Sequence, residues 1–356
     1  MNRVEEINYK HDQLRQLLAA RGADGLLLRR TRNIAWFTAG ADASIPLDTD
    51  YGAYSVLVTP NSRVIVTDTI EETRLQGEEH LNDLGFEFDI SPWYAMNPRT
   101  TTTMLSDDGD VDGAVRRLRR VLLPAEHARL RLLGQDATAA LEEAARATQP
   151  GDNEHDMAAR IAAAARRRHG IAIVALVGTD ERISRYRHPV VADKRLERYG
   201  MLIICMRREG LVVSCTRLVH VGPTPQELQD KLQKVATIDA RVIAATRPGR
   251  TLGQVFDDLT SFYADVGEAD QWKLHHQGGL AGYAPREIVA TPGDPTVIEA
   301  GMMAAWNPSI VGAKSEDTVL ITEDGFDIVS QASASWPKID VSVNGQLIQR
   351  PGILEL

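Results

Sequence analysis

The chain has 356 residues, of which 43% are hydrophobic and 25% are charged, and its formal net charge at pH 7 is −9. This length predicts two domains or one large domain with a substantial core. The negative balance argues against nucleic acid or an anionic membrane as a partner. The chain has only two cysteines, a polar N-terminal segment and no run of about 20 apolar residues. These features predict a cytoplasmic protein without a disulfide framework.

The first third of the chain alternates helical and extended patterns. Its predicted elements, in chain order, are a helix over 5–22 that ends at a glycine, a strand over 25–28, strands over 53–58 and 63–67 that form a hairpin, and a helix over 70–83. This alternation is typical of an α/β layer.

The rest of the chain begins with helical spacing and then returns to strands. The predicted elements are a mostly helical stretch over 102–150, a helix over 154–168, a strand over 171–177, a β pair over 201–205 and 211–221, and helices over 225–246 and 252–266. Glycine, proline and strand signals fill the remainder. We place the domain border near residues 110–125.

Two segments carry polar side chains suited to binding or proton transfer. His188 lies in a loop, where an imidazole can donate to a substrate oxygen or move a proton. Ser214 and Thr216 share one face of an extended strand. Taken alone, each segment is more typical of ordinary structure, namely a surface-loop histidine and a half-buried strand with small polar residues on one side.

Two later segments are more suggestive. His275 and His276 precede a glycine-rich run, and glycines allow a backbone to approach a ligand closely. Because adjacent residues of a strand point to opposite faces, at most one of these histidines is expected in a site. Glu316 opens an apolar strand, and a carboxylate there needs a metal, an arginine or a substrate as partner. The alternative for Glu316 is a surface salt bridge.

Together these segments resemble the peptidase family that includes aminopeptidase P, prolidase, methionine aminopeptidase and creatinase. The motifs that carry the resemblance are Ser315 to Gly325, His276 with Gly279-Leu280, His188-Pro189, Thr216-Arg217, and Thr31 to Gly40 in the N-terminal part. The resemblance covers nearly the whole chain. It implies an α/β (α+β) fold, with a creatinase-type N-terminal α/β domain over 1–120 and a pita-bread C-terminal domain over 121–356.

The metal site of the family is largely missing from this sequence. Its metallopeptidases hold two divalent ions with two aspartates, one histidine and two glutamates. By resemblance, His276 and Glu316 are kept, whereas Ile203, Ser214 and Asn307 stand at or near the other three positions. Two such ions need several anionic oxygens. We therefore predict no metal cofactor, with a single Mn, Zn or Fe ion at His276 and Glu316 as the alternative.

The function predicted from this resemblance is a metal-independent, creatinase-like hydrolase that cleaves a C–N bond in a small amide, amidine or amino-acid derivative. His188 is the predicted general acid/base, and Glu316, paired with His276, orients water or binds a cationic substrate group. The predicted substrate contacts are Ser214, Thr216, Tyr283, Arg286 and Asn307.

Two alternatives remain at this stage. One is a metal-dependent Xaa-Pro aminopeptidase or dipeptidase with unusual ligands, and the other is a catalytically inactive binding or scaffold protein of the same fold. The partner is a small-molecule or short-peptide substrate, and the resemblance also implies a homodimer.

Overall fold

The computed structural model describes residues 1–95, 103–109 and 111–356. The chain forms two compact units, one of residues 1–125 with 209–211 and one of residues 126–208 with 212–356. Within the described ranges, no helix combines the length and the apolar character needed to cross a membrane. Residues 102 and 110 of the segment predicted to be mostly helical lie outside those ranges.

The first unit is a mixed sheet with helices. Its elements are α1 (Arg3–Arg21), β1 (Gly25–Arg30), α2 (Thr31–Phe37), β2 (Tyr51–Val58), β3 (Arg63–Asp68), α3 (Glu72–Gly77), β4 (Glu87–Ser91), β5 (Met104–Ser106) and α4 (Asp112–Arg119). The strand order is β4-β3-β2-β1-β5. Strand β2 runs antiparallel to β3, which confirms the predicted hairpin.

Local side-chain and backbone features set both ends of helix α1. The Asn2 side chain accepts the Glu5 backbone N–H, and the Glu5 carboxylate accepts the Asn2 N–H in return, which closes a capping box. Gly22 ends the helix with a φ of 58°, a left-handed conformation that glycine adopts without strain. The predicted helix over 5–22 therefore ends at the expected glycine, whereas the capping box begins it two residues earlier, at Arg3.

Two predicted elements of this unit differ from the structure. The helix predicted over 70–83 is helical only over Glu72–Gly77. The stretch predicted as mostly helical from residue 102 contains strand β5, which pairs in parallel with β1 so that Met104 lies opposite Gly25. A three-residue strand that depends on a partner about 80 positions away leaves no periodic signal in its own sequence.

The remaining elements build the second unit. They are α5 (Pro124–Arg146), α6 (Glu154–Arg167), β6 (Ile171–Thr179), α7 (Glu181–Arg185), β7 (Tyr199–Arg208), β8 (Leu211–His220), α8 (Gln226–Ala245), α9 (Leu252–Asp265), β9 (Gly278–Ala281), β10 (Ile288–Val289), β11 (Met303–Trp306), β12 (Ser309–Ile310), β13 (Ala313–Lys314), β14 (Asp317–Ile321), β15 (Phe326–Ile328), β16 (Lys338–Val343), β17 (Gln346–Pro351) and β18 (Ile353–Glu355). A 3₁₀ turn, Gln271–Leu274, precedes β9.

Two sheets of the second unit meet along β8 and β14. Their strand orders are β18-β8-β7-β6 and β10-β9-β11-β14-β15. The Ser214 N–H donates to Thr318 Oγ1, and that hydroxyl donates to the Ser214 carbonyl, both at 2.9 Å. The Thr216 N–H donates to the Glu316 carbonyl at 3.1 Å. These bonds connect the two sheets and fix Glu316 beside β8.

Glycines allow β9 to lie between its neighbouring strands. Gly278 has a φ of 104°, and a Cβ atom there would lie 2.2 Å from the Ala305 carbonyl oxygen. Gly279 has a φ of 146°, and its Cβ would lie 2.2 Å from the Ile288 oxygen. The run of glycines after His276 thus serves close strand packing rather than the approach of a ligand.

Candidate functional site

A cavity of about 310 Å³ lies within the second unit. Its walls combine apolar side chains of β6 and β7 with polar groups from the loop before β7, from β13 and from the segments that flank β9, β11 and β14. The lining residues are Val174, Leu176, His188, Ile203, Cys205, His276, Pro285, Arg286, Asn307, Lys314 and Glu316. Of the predicted site residues, the structure brings together His188, His276, Arg286, Asn307 and Glu316 around this cavity.

The Glu316 carboxylate is bonded on both oxygens. Oε1 lies 3.0 Å from Arg286 Nη2, and Oε2 lies 2.8 Å from Lys314 Nζ. The Thr216 hydroxyl also donates to Oε2, at 2.7 Å. Burial alone would raise the pKa of Glu316, but the charges of Lys314 and Arg286 outweigh burial and lower that pKa to about 2. Glu316 is therefore ionised and held by two cations, instead of by the predicted partner His276.

Lys314 was not among the predicted site residues. It ends β13, whose hairpin with β12 sets Lys314 opposite Ser309, and its side chain is 5% exposed. Lys314 and Arg286 share the one carboxylate of Glu316. These three side chains therefore give the cavity wall a net charge of +1. A sequence signal did exist, since residues two apart in an extended segment share a face, and Lys314 precedes Glu316 by two.

Three histidines form a cluster at the exposed side of the cavity. His188 Nε2 lies 3.0 Å from His275 Nε2. The rings of His275 and His276 stack with centroids 4.5 Å apart, and the His188 ring lies 5.5 Å from that of His276. Of the adjacent pair, His276 is among the residues that line the cavity and His275 is not, over the described ranges, so the expectation of at most one site histidine there stays a prediction. Both residues lie between the 3₁₀ turn and β9, outside the strand on which that expectation was based.

The imidazoles of this cluster favour the neutral form. The pKa of His275 falls to about 2 and that of His276 to about 4, because burial disfavours the charged rings and the nearby cations add repulsion. The pKa of His188 also falls below its usual 6.5, through burial and the charge of Lys314. All three rings are therefore neutral at pH 7, the state in which an imidazole accepts a proton.

The other predicted substrate contacts lie behind the cavity wall. Ser214 Oγ donates to the Cys205 sulfur at 3.2 Å, and Thr216 bonds the Glu316 carboxylate as described above. The Tyr283 hydroxyl donates to the Glu126 carboxylate. None of these three is among the residues that line the cavity, over the described ranges. Ser214 and Thr216 support the polar wall, while Tyr283 is engaged elsewhere in the second unit.

Two buried polar atoms of the wall have no hydrogen-bond partner within the part of the chain that the structure describes. They are Asn307 Oδ1, an acceptor, and Arg286 Nε, a donor. Unsatisfied buried groups cost free energy, so each is stabilised when a ligand or an ordered water supplies the missing partner. The wall thus offers an acceptor for an N–H group and a donor for an anionic oxygen.

Curated relatives match parts of the chain. An Xaa-Pro dipeptidase of Pyrococcus furiosus is 29% identical over 150 residues, which are 39% of this chain and 42% of that protein. An agropine synthesis cyclase of Rhizobium rhizogenes is 26% identical over 157 residues, 40% of this chain and 39% of that protein. The matched segments span less than half the length of either relative.

The fold itself recurs in solved structures. An Xaa-Pro dipeptidase from Bacillus anthracis superposes with a TM-score of 0.74 over 92% of this chain and 98% of that chain, at 17% identity. Likeness at this identity establishes the fold and leaves the chemistry open. It confirms the predicted mixed α/β architecture with a pita-bread domain.

Family models account for both parts of the chain. The Creatinase/Prolidase N-terminal domain matches residues 10–109. The model of metallopeptidase family M24 matches residues 128–323, which is more than half of the chain. These two matches confirm the family that the sequence motifs resemble. The chain belongs to metallopeptidase family M24.

Proposed function

We propose that this protein is a metal-independent hydrolase that cleaves a C–N bond in a small amide, amidine or amino-acid derivative. The observation that carries the proposal is the pairing of Glu316 with Lys314 and Arg286, at 2.8 and 3.0 Å. Both cations are largely buried and share this one carboxylate. Buried charges need partners, so the surplus positive charge favours a substrate with an anionic group such as a carboxylate.

The two-metal centre that the family name implies does not fit these residues. Ile203, Ser214 and Asn307 supply no carboxylate at the positions where, by resemblance, three acidic ligands belong. The remaining acidic residue, Glu316, has each oxygen bonded to a protein cation. Divalent ions in such pairs need several anionic oxygens, and two fixed cations repel them. We therefore assign no catalytic step to a metal.

The proposed mechanism rests on His188. Its neutral ring lies at the exposed side of the cavity, where it removes a proton from water as that water attacks the substrate carbon. The same ring then returns the proton to the leaving nitrogen. His275, 3.0 Å away, orients the His188 ring, and His276 packs against both.

The charged wall supplies binding and electrostatic stabilisation. Arg286 and Lys314 bind the anionic group of the substrate, or the negative charge that develops on the attacked group. Asn307 Oδ1 accepts an N–H of the substrate. Glu316 holds the two cations in place, while Ser214 and Thr216 position Arg286 and Glu316 through bonds of 3.4 and 2.7 Å.

Similarity to relatives supports two competing functions. The likeness to Xaa-Pro dipeptidases favours peptide hydrolysis, which in the metal-dependent form requires ligands that this chain lacks. The likeness to a cyclase favours an intramolecular reaction, in which a group of the substrate replaces water as the attacking group. His188 would then take the proton from that group. A scaffold protein of this fold would bind a ligand without turnover.

Removal of metal ions separates these functions. After dialysis against a chelator, we expect full retention of turnover on acylated amino acids that carry a free carboxylate, and poor turnover of the matching carboxamides. Activity is measured by release of the amine, with a metal-dependent Xaa-Pro dipeptidase treated in parallel. Loss of activity that Mn²⁺, Zn²⁺ or Fe²⁺ restores would establish the metallopeptidase. Binding without product for every substrate would favour the scaffold.

Substitution of Lys314 by methionine tests the electrostatic coupling to His188. Because the charge of Lys314 contributes to the lowered pKa of His188, its removal raises that pKa toward 6.5. A general base works when deprotonated, so activity declines as pH falls through its pKa. We expect the acid limb of the kcat/KM profile to shift to higher pH in Lys314→Met. The matched control is Lys234→Met, which removes a lysine from an ion pair with Glu268 whose side chains are 40% and 22% exposed. In this control the acid limb of the kcat/KM profile should not shift.

The predicted homodimer and the cytoplasmic location stay predictions. Light scattering of the purified chain measures its oligomeric state.

A further inference from the structure

The three histidines at the cavity bring their ring nitrogens unusually close together. One ligand nitrogen from each of His188, His275 and His276 lies within 4.8 Å of the other two. The nearest pair, His188 Nε2 and His275 Nε2, is 3.0 Å apart. In a tetrahedral zinc site with Zn–N bonds of about 2.0–2.1 Å, the nitrogen ligands are about 3.4 Å from one another. Modest rotations of the rings therefore suffice to bring three nitrogens to bonding distance of one ion.

We infer that His188, His275 and His276 form a binding site for a single late transition-metal ion such as Zn²⁺, Ni²⁺ or Cu²⁺. Three imidazoles with one open position match the coordination of a mononuclear zinc site. His188 is exposed, so its side of the cluster is open to solvent, and a water molecule completes the coordination. Neutral imidazoles are the form that binds metal, since a protonated nitrogen has no lone pair to donate.

The ring nitrogens of His275 have few hydrogen-bond partners that a metal ion would have to displace. The Nδ1 atom of His275 is buried and has no hydrogen-bond partner among the residues described, and its Nε2 contacts only the ring of His188. A metal ion therefore replaces one imidazole–imidazole contact and disrupts no wider network. This situation differs from the Glu316 carboxylate, whose oxygens are bonded to Lys314, Arg286 and Thr216.

The donor set determines which ions bind. The cluster contains no carboxylate. The charge of Lys314 acts on all three histidines, and that of Arg286 acts on His188 and His276. Hard cations such as Mg²⁺, Mn²⁺ and Ca²⁺ prefer anionic and carbonyl oxygens, so this site excludes them. Ions that bind imidazole nitrogen strongly overcome the repulsion. The site is thus distinct from a metal at His276 and Glu316, the alternative predicted from the sequence.

Metal at this cluster has a consequence for turnover that rests on the proposed function. An ion bound to His188 takes the lone pair that would accept a proton from water. Zn²⁺ is therefore an inhibitor of the proposed reaction, and a chelator relieves that inhibition. The metal site itself is testable without any substrate, so its failure and the failure of the proposed function are separate results.

Equilibrium dialysis of the full chain against Zn²⁺, Ni²⁺ and Mn²⁺ tests the site. We expect one equivalent of Zn²⁺ or Ni²⁺ and no saturable Mn²⁺ binding. His275→Ala and His188→Ala should each weaken Zn²⁺ binding by more than the roughly 10–100-fold that follows loss of an outer-shell partner. Because the His188 ring is exposed, its removal leaves folding unaffected, and circular dichroism checks this for both variants. The visible spectrum of the Co²⁺ form should indicate tetrahedral nitrogen ligation and disappear in both variants.

Two further variants make the result decisive. His155→Ala removes an exposed histidine elsewhere in the second unit and should bind Zn²⁺ like the unmodified chain. Glu316→Gln should also retain Zn²⁺ binding. Absence of stoichiometric binding, or equal binding by His275→Ala and the unmodified chain, overturns the proposal. Loss of binding in Glu316→Gln, with retention in His188→Ala, moves the metal to the carboxylate site and also overturns it.

Discussion

In His188→Ala we expect kcat/KM to fall by about 10²–10⁴-fold, the usual contribution of a general acid or base. The proposed reaction needs one group that takes a proton from water and returns it to the leaving nitrogen. His188 is exposed at the cavity and its pKa lies below 6.5, so it is deprotonated at neutral pH. Steady-state assays on a carboxylate-bearing substrate, in the presence of a chelator, measure the effect without interference from bound metal.

The pH profile and chemical rescue distinguish proton transfer from a structural role. The acid limb of kcat/KM should disappear in His188→Ala, because the group that titrates there is gone. Added imidazole should restore part of the activity, since the side of the cavity that the ring occupied faces solvent. His155→Ala, at an exposed histidine of the same unit, should retain full activity. A fall of less than threefold in His188→Ala, with an unchanged acid limb, would assign the proton transfer to another group.

The sequence predicted those elements of the fold whose ends are set by local signals, such as turns and helix-ending glycines. The glycine that was predicted to end α1 does so, and the strands predicted over 53–58 and 63–67 form their hairpin. Strand β5 was not predictable in the same way, because it exists through its pairing with β1. Local propensity and periodicity describe a segment alone, whereas a short strand derives its stability from the sheet that receives it.

The sequence predicted which residues lie at the candidate site better than it predicted which of them contact one another. Motif resemblance identified His188, His276 and Glu316, which all line one cavity. It did not reveal that Lys314 and Arg286 neutralise Glu316, since a carboxylate in a sequence does not specify which cation reaches it. Nor did it reveal that His275 places its Nε2 3.0 Å from that of His188. In both cases the missing information was the conformation of the backbone between motifs.

A buried ionic network lies directly beside the site. Asp317, the neighbour of Glu316, accepts hydrogen bonds from Arg217 at 3.2 Å, from Arg350 at 2.7 Å and from the Ser330 hydroxyl at 2.8 Å. The side chains of Asp317, Arg217 and Arg350 are all 0% exposed. The same Nη2 atom of Arg350 lies 2.7 Å from the Asp239 carboxylate. The network connects β8, β14, β17 and α8, and β14 begins directly after Glu316 of the cavity wall.

Asp317→Ala is expected to lower the free energy of unfolding by about 3–5 kcal/mol, because it breaks two buried ion pairs and leaves the donors of Arg217, Arg350 and Ser330 without their shared acceptor. Arg217 and Arg350 each keep one carboxylate, Glu142 and Asp239, but both lose the one that they share. Urea denaturation followed by circular dichroism measures the effect. Glu227→Ala, which breaks an exposed i,i+4 pair with Lys231, should cost far less, because solvent screens that pair. Equal losses in the two variants would mean that the network adds no more than a surface pair. A much larger loss in Asp317→Ala indicates that the stability of the fold beside the cavity depends on ion pairs outside the cavity lining.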